Sequence, residues 1–347
     1  MTVNKKYMDF SIDMLSVGDA DAIILWLKQD GADFIIFLDG GKPGNGYEVV
    51  KHYNTYIKPH MAAKPTMIVI NSHPHRDHIG GLPEIINHFG TDIKRVYFND
   101  PLAYVNQMQI NLITEYHQKH SANRQITGLY ESLKDVDDFK TLLKKYGLTP
   151  QPIFSDTNLG HNLFKVLGPS EAFYKQKVQF FTDKTSLERM HLLKEAEEDV
   201  NEVEEGNKPC VVVDEKNDTS AENLTSTIIQ LTDSSNRRYL FTADSGVDSY
   251  ESAQKNGFNM ENFHIAQLPH HGSRRNVNTN WICNFNPKQY WVSAAGNKKH
   301  PRKAVIECIK KNLPNCKTYS THKGGSKHIN STTNLFPDRE WPSAEPL

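Results

Sequence analysis

His73-Pro74-His75-Arg76-Asp77-His78 places four side chains able to ligate a metal within six residues. It follows Thr66-Met67-Ile68-Val69-Ile70, an apolar, largely β-branched run with the pattern of a buried central strand. A strand end is rigid, so donors leaving it keep fixed directions, and imidazole with carboxylate suits Zn²⁺, Mn²⁺ or Fe²⁺. In an extended stretch His73 and His75 project to one side, while the turn through Asp77 and His78 addresses a second position nearby. Two adjacent divalent metals, Zn²⁺ or Mn²⁺, are expected. Isolated histidines are usually structural, but a full His-x-His-x-Asp-His string running into Gly80-Gly81 is not accounted for that way.

Outward from this centre, residues 8–15, 22–28 and 34–38 read as strands, punctuated by Val17-Gly18-Asp19-Ala20-Asp21 and Asp39-Gly40-Gly41. A helix runs from Gly80-Gly81-Leu82-Pro83 to about residue 89, and residues 95–98 form the next strand. Helical spacing dominates 103–146. After a strand at 164–167, residues 171–205 read as mainly helical with an acidic end, a solvated face rather than a carboxylate metal site. Strands return at 210–213, 225–231 and 239–242, the last ending in Ala243-Asp244-Ser245-Gly246. A helix at 248–255 and a strand at 264–268 lead to Pro269-His270-His271-Gly272-Ser273. Then come a strand at 290–293, a helix at 302–311, and a strand at 317–320 before Thr321-His322-Lys323-Gly324-Gly325-Ser326. Two strand-rich halves with helical insertions at about 100–150 and 170–208 predict an α/β protein, two sheets packed together with helices outside. Residues 1–330 are expected to form one catalytic domain, and 331–347, with Pro337, Pro342 and Pro346, an extended peripheral tail.

The chain has 347 residues, 37% hydrophobic and 23% charged, enough to bury a sizeable core. It has no apolar run near the roughly 20 residues a bilayer span needs and no signal-like N-terminus, so a cytoplasmic protein with no membrane partner is expected. The four cysteines, Cys210, Cys283, Cys308 and Cys316, show no paired spacing and are expected to be reduced. The net charge of −1 hides an uneven distribution: residues 263–330 hold twelve Lys or Arg against one acid, Glu307. That segment is a footprint for a polyanion, although a basic face without a ligand has the same composition.

The metal string is the signature of the metallo-β-lactamase superfamily, which the sequence resembles. More closely, it is similar to the hydrolase domain of ComEC-type DNA-uptake proteins and their stand-alone relatives. The similarity extends in order through residues 17–23, Leu38-Asp39-Gly40-Gly41, residues 72–82, Leu240-Phe241-Thr242-Ala243-Asp244, residues 268–273 and Val292-Ser293-Ala294-Ala295-Gly296-Asn297. The resemblance implies a four-layer αβ/βα sandwich with metals held at one edge of the two sheets. It implies that His73 and His75 hold one metal, Asp77 and His78 the other, and that Asp244 bridges them. One histidine of the 270–271 pair would complete the second site, with His271 favoured as ligand and His270 as its acid-base or substrate-contacting neighbour. Two departures stand out. A further histidine that many members carry between the first motif and the bridging aspartate has no evident counterpart, His161 and His191 both reading as structural or exposed. Ala243 also replaces the usual glycine before the bridging aspartate.

Two metals in such a site would activate a water to hydroxide and stabilise charge on the attacked centre and leaving oxygen. Asp77 would hold the metal side of that chemistry, and His270 and His322 are candidates for protonating the leaving group or touching substrate. Asp21 and Asp39 read as turn carboxylates that orient ligand histidines. Arg274, Arg275, Lys298, Lys299 and Lys323 lie in or beside the motifs, where cations would hold a phosphodiester. A phosphodiester-cleaving hydrolase, with DNA favoured as substrate, is therefore expected. A small-molecule phosphodiesterase acting on cyclic nucleotides or phosphocholine esters, and a nucleic-acid-binding module without turnover, are the alternatives. The helical insertions are candidates for docking a protein partner.

Overall fold

A computed structural model of the chain describes residues 8–159, 161–182, 184–185, 187–188, 207–215, 219–297, 299–332, 334–341 and 343–347. Lys298, His191 and the acidic cluster expected at 195–205 lie outside the described residues.

The N-terminal half builds a seven-stranded sheet from β1 (Asp9–Met14), β2 (Ile23–Gln29), β3 (Ala32–Leu38), β4 (Thr66–Ile70), β5 (Ile93–Tyr97) and β6 (Pro150–Gln151), closed at the other edge by β13 (Lys327–Asn330). Its order is β13-β1-β2-β3-β4-β5-β6. The second sheet has six strands: β7 (Lys165–Gly168), β8 (Ile228–Thr232), β9 (Arg238–Phe241), β10 (Ile265–Gln267), β11 (Gln289–Val292) and β12 (Lys317–Ser320), ordered β12-β11-β10-β9-β8-β7.

Strand periodicity produces the layers. Along β2, Ile23, Leu25 and Leu27 enter the core between the sheets, meeting Tyr239, Phe241, Ile265 and Trp291 of the second sheet. The intervening Ile24 and Trp26 face the opposite way, into a cluster with Val49, Tyr53, Leu82, Ile85 and Ile86 from the helices outside. β4 splits likewise, Ile68 and Ile70 inward and Met67 and Val69 outward. Both faces are apolar because both are covered, which is why these strands read as continuous apolar runs. The second sheet's outer face packs on helices Val247–Lys255, Thr279–Phe285 and Lys303–Asn312 through Tyr250, Phe285, Val305 and Ile309. The result is the expected α/β four-layer sandwich. A register slip of one residue in β2 would exchange its five buried side chains between the two cores and break the packing of both, so pairing is strongly specified.

The insertion is helical, with Gln107–Lys119, Arg124–Lys145 and Glu171–Thr182 sharing a small core of Ile113, Leu129, Leu133, Tyr174 and Val178. Residues 210–213 correct the sequence reading: they lie in a helix, Pro209–Asp214, not a strand. Three successive valines favour a strand locally, but Pro209 starts the helix and Val212 and Val213 bury against Lys303–Asn312, so tertiary packing overrides propensity. The same packing overturns the expectation of reduced cysteines. Cys210 and Cys308 are joined in a disulfide across a sequence separation of 98, while Cys283 and Cys316 are free. The tail is firmly attached: Phe336 is buried against Trp26, and Arg339 reaches Asp13 in β1 at 2.9 Å. No helix among the described residues is long and apolar enough to cross a membrane.

Candidate metal centre

Strands β3 and β4 run parallel, as do β9 through β12, so the loops after them emerge at common sheet edges. Asp39 follows β3, His73 follows β4, Asp244 follows β9 and His270-His271 follows β10. Backbone hydrogen bonds lock the three loops on the N-terminal side together. Asp21 N–H donates to the Asp77 carbonyl at 3.1 Å, Gly40 N–H to His78 at 2.8 Å, and Gly81 N–H to Gly41 at 2.8 Å. This crossing explains the paired glycines. A Cβ on Gly81 would stand 1.9 Å from the Gly40 carbonyl oxygen, and one on Gly40 2.5 Å from the Leu82 nitrogen.

Asp244, 1% exposed, is the centre of the cluster, and neither carboxylate oxygen has a hydrogen-bond partner. His78 Nε2 lies 3.2 Å from its Oδ1, and His73 Nε2 and His270 Nε2 lie 3.7 and 3.6 Å from its Oδ2. His271 Nε2 stands 3.3 Å from Asp77 Oδ2. Two groups have donor atoms mutually within 4.8 Å, His73-His78-Asp244 and Asp77-His78-His271. A third, Asp21-Asp39-His78, lies behind them. His75, the residue before the short helix Arg76–Ile79, stacks edge-on to His73 with ring centroids 4.7 Å apart.

The supporting atoms fix which nitrogen of each ring faces the centre. His78 Nδ1–H donates to Asp39 at 2.8 Å, and His271 Nδ1–H to the Ser293 carbonyl at 2.8 Å. Ser72 Oγ–H donates to Asp39 at 2.6 Å, leaving its oxygen to accept from His73 Nδ1–H at 3.1 Å. In the neutral ring each Nε2 therefore carries the lone pair and faces the carboxylates, the arrangement in which imidazole ligates a cation. Asp39 thus occupies the orienting position expected of it, whereas Asp21 is held by Gln267 Nε2 at 2.6 Å and stands 3.8 Å from His271 Nδ1, beyond hydrogen-bond reach. The buried, unpartnered Nε2 atoms of His73 and His78 and both oxygens of Asp244 fit a metal site: left unmet, such atoms cost about 1–3 kcal/mol each.

The charges agree. Burial works against ionised Asp244, yet the neighbouring His270 and His78 hold its carboxyl well below the usual range. Burial pushes His271 down, but the Asp77 hydrogen bond and the charges of Asp244 and Asp21 outweigh it and raise the imidazole to about 9. Asp21 is pushed up to about 6 by burial, despite the opposing charges of His78 and His271.

A model of the metallo-β-lactamase superfamily matches residues 58–112, the stretch that holds the histidine string. The fold is the metallo-β-lactamase fold. No curated protein matches the sequence. Among solved structures, the metallo-β-lactamase fold protein YhfI from Bacillus subtilis is similar over 93% of this chain and 100% of its own, at 11% identity and a TM-score of 0.47. The β-lactamase-superfamily hydrolase AbOPH is 10% identical over 94% of this chain and 79% of its own, TM-score 0.34. The dizinc quorum-quenching lactonase AidC is 13% identical over the same shares, TM-score 0.31. These distant likenesses assign no substrate.

Within this metallo-β-lactamase fold the remaining sequence-derived residues divide. Arg274 turns inward, 7% exposed, and donates to the Val212 carbonyl at 3.4 Å. Arg275 is half-buried, while Lys299 and Lys323 are exposed on the loops after β11 and β12. His322 is half-buried, its Nδ1 2.6 Å from Ser320 Oγ. His161 is bound to the Tyr97 hydroxyl at 2.8 Å, the structural role expected of it. Sequence reading missed Asn223 and Asn276, which flank His270, and His300, whose ring lies 5.5 Å from His270 and 5.7 Å from His271. Position along the chain gave no signal for the asparagines. His300, three residues beyond Ala295-Gly296-Asn297, was open to inspection.

Proposed function

We propose that this chain is a metal-dependent hydrolase of phosphodiester bonds, with DNA the favoured substrate. The observation that carries the hydrolase reading is the convergence of unpartnered Nε2 and carboxylate donors of His73, His78 and Asp244, with Asp77 and His271 alongside. His73, His75, Asp77, His78, Asp244 and His271 would hold two divalent cations, Zn²⁺ or Mn²⁺. Such cations supply Lewis-acid polarisation of the attacked centre and activation of a water nucleophile. The chain's own residues then position and protonate. Asp39, Ser72 and the Ser293 carbonyl keep the ligand rings in the ligating tautomer. Half-buried His322 is a proton donor for the leaving oxygen, and burial beside Lys323 lowers its pKa.

The phosphodiester preference rests on Lys299 and Lys323, exposed on loops that leave the same edge of the second sheet as His270-His271, with Arg275 after that histidine pair, while Lys298, part of the same expectation, lies outside the described residues. Cations there would neutralise a phosphate backbone, as the resemblance to ComEC-type hydrolase domains also implies. Arg76 bridges the metal string to the insertion, lying 3.6 Å from Glu131 and 3.9 Å from Asp135. This contact supports the insertion as a docking element for a partner that acts on the site. A cytoplasmic location belongs to the same proposal.

The test is cleavage of labelled single- and double-stranded DNA by metal-stripped protein resupplied with Mn²⁺ or Zn²⁺, beside Asp77→Ala and Asp244→Ala. Metal-dependent cutting lost in both variants supports the reading. Intact DNA with metal-loaded protein, alongside turnover of a small phosphodiester, would move the assignment to the small-molecule alternative.

A further inference from the structure

We infer that Asp19 is a positioning residue for the substrate, the clamp that sets the loop after β11 beside the metal centre. The inference rests on the phosphodiester reading and adds to it the residue that places a binding loop. Asp19 is half-buried in the turn between β1 and β2 and is not among the clustered metal donors. Its Oδ1 accepts from Ala295 N–H at 2.7 Å, and its Oδ2 accepts from the Asn297 amide. Asn297 Oδ1 in turn accepts from Lys299 N–H at 2.7 Å and His300 N–H at 2.9 Å. One carboxylate thus orients an amide, and that amide fixes the backbone of Lys299 and His300. The His300 ring lies 5.5 and 5.7 Å from the rings of His270 and His271, so the loop stands at the metal centre's edge.

Both ends of the loop are anchored without Asp19. Ser293 Oγ–H donates to the Ala20 carbonyl, and Ala294 N–H to Thr321 Oγ1 at 3.2 Å. At the far end Arg302 N–H donates to the Gly272 carbonyl at 3.0 Å, and a Cβ on Gly272 would stand 2.8 Å from Pro301 Cβ. Between these anchors Ala295, Gly296, Asn297 and Lys299 are exposed, so no core shapes them and the Asp19 bonds do. The turn that carries Asp19 is itself fixed to the metal string, because Asp21 N–H donates to the Asp77 carbonyl at 3.1 Å. Gly296, at φ 71°, lies against His322, where a Cβ would stand 2.4 Å from the ring. His322 keeps its own bond to Ser320 Oγ at 2.6 Å, so its placement does not depend on the clamp.

Charge and geometry make opposite demands at this position. An anion beside the mouth of the site repels a polyanion, and the field of Asp19 reaches both His300 and His322. On charge alone Asp19→Asn should tighten phosphate binding. On geometry it should weaken it, because the new amide has one accepting group and one donating group. With its oxygen on Ala295 N–H, its NH₂ faces the NH₂ of Asn297. If Asn297 turns its oxygen to meet that NH₂, Lys299 and His300 lose their acceptor. Exchanging the two residues, in Asp19→Asn/Asn297→Asp, restores every bond with donor and acceptor reversed and leaves the total charge unchanged.

The test compares the Zn²⁺-loaded full chain with Asp19→Asn, Asn297→Asp and the double variant. Amide hydrogen exchange at Lys299 and His300 should quicken about 3–10-fold in each single variant and return to the wild-type rate in the double variant. For cleavage of fluorescein-labelled single-stranded DNA, KM should rise about 3–10-fold in Asp19→Asn with kcat within about twofold. The double variant should recover the wild-type KM. An unchanged or lower KM in Asp19→Asn would overturn the inference, as would unchanged exchange at Lys299 and His300, and in both cases the phosphodiester reading stands. Wild-type protein whose loop exchange depends on Asp19 but which neither binds nor cuts the DNA would overturn the phosphodiester reading, and the substrate role of Asp19 with it.

Discussion

Asp39→Asn tests whether the residues behind the ligands set the metal centre. Asp39 Oδ1 accepts from Asn71 Nδ2 at 3.1 Å and Ser72 N–H at 2.7 Å, and Oδ2 accepts from Ser72 Oγ–H at 2.6 Å and His78 Nδ1–H at 2.8 Å. An asparagine has one acceptor and must point its NH₂ at one of these pairs. Toward Asn71 and Ser72 N–H it would face two obligate donors, one of them backbone. Toward Ser72 Oγ and His78 it meets groups that can rearrange, because imidazole can change tautomer. The second orientation is cheaper, and it moves the His78 proton to Nε2, the atom 3.2 Å from Asp244 Oδ1. A protonated Nε2 does not ligate. Loss of such an orienting contact costs about 10–100-fold in metal affinity, equal to about 1.4–2.7 kcal/mol. The metal-free variant should lose about 1–3 kcal/mol of stability from weakened charge-assisted bonds. Chelator competition at pH 7 reads the affinity, imidazole ¹⁵N chemical shifts read the tautomer, and thermal unfolding reads the fold. A folded Asp39→Asn protein with unchanged affinity for both equivalents would refute the reasoning.

Metal uptake should release protons, because His271 is raised to about 9 and must be neutral to ligate. Apparent affinity should climb with pH until about 9, and calorimetry in buffers of different ionisation enthalpy would count the protons; a flat profile between pH 7 and 9 rejects it. Burial alone would raise the Asp13 carboxyl, but hydrogen bonds from His328 and His52 and the Arg339 charge hold it below the usual carboxylate range. Its contribution to stability is therefore fully present above the unfolded value of about 3.9 and declines as pH falls through and below it. Asp13→Asn should flatten that acid limb in thermal melts and cost about 3–5 kcal/mol at neutral pH by leaving Arg339 unpaired; parallel limbs for both proteins would show that Asp13 is not responsible. Gly81→Ala should prevent normal folding, since its Cβ meets the Gly40 carbonyl oxygen at 1.9 Å. Gly128→Ala, inside helix Arg124–Lys145 with nothing within 4 Å, should instead stabilise by about 0.5–1 kcal/mol. Chemical denaturation of the pair checks both, and opposite signs are required.

The fold was legible where local pattern and global role coincide. Residues 66–70 read as a buried strand because β4 is covered on both faces, and the glycines at 40 and 41, read as a turn, and at 80 and 81, read as a helix start, meet in a backbone crossing. Residues 210–213 misled because three valines carry a strand preference that packing against Lys303–Asn312 overrules. β13 escaped notice because Lys327-His328-Ile329-Asn330 has one apolar side chain and no alternation; its place comes from β1's need for an edge partner. The Cys210–Cys308 disulfide depends on two helices brought together by the second core, which spacing along the chain does not encode.

At the metal centre, residue types were readable and directions were not. Between His270 and Arg275 the chain offers four polar side chains suited to a phosphodiesterase. In the fold His270 meets Asp244 Oδ2, His271 meets Asp77, Arg274 turns back to Val212, and Arg275 stays half-buried near the surface. The left-handed turn at His270 and His271 separates the rings, and the bonds from Ser293, Asn276 and Ala243 hold each in place. Those three partners lie in other loops or beyond the motif, so the division of labour between neighbouring histidines is a property of the assembled sheet edges. Adjacent histidines at a strand end therefore identify a site, while the hydrogen bond on the far side of each ring identifies what that histidine does there.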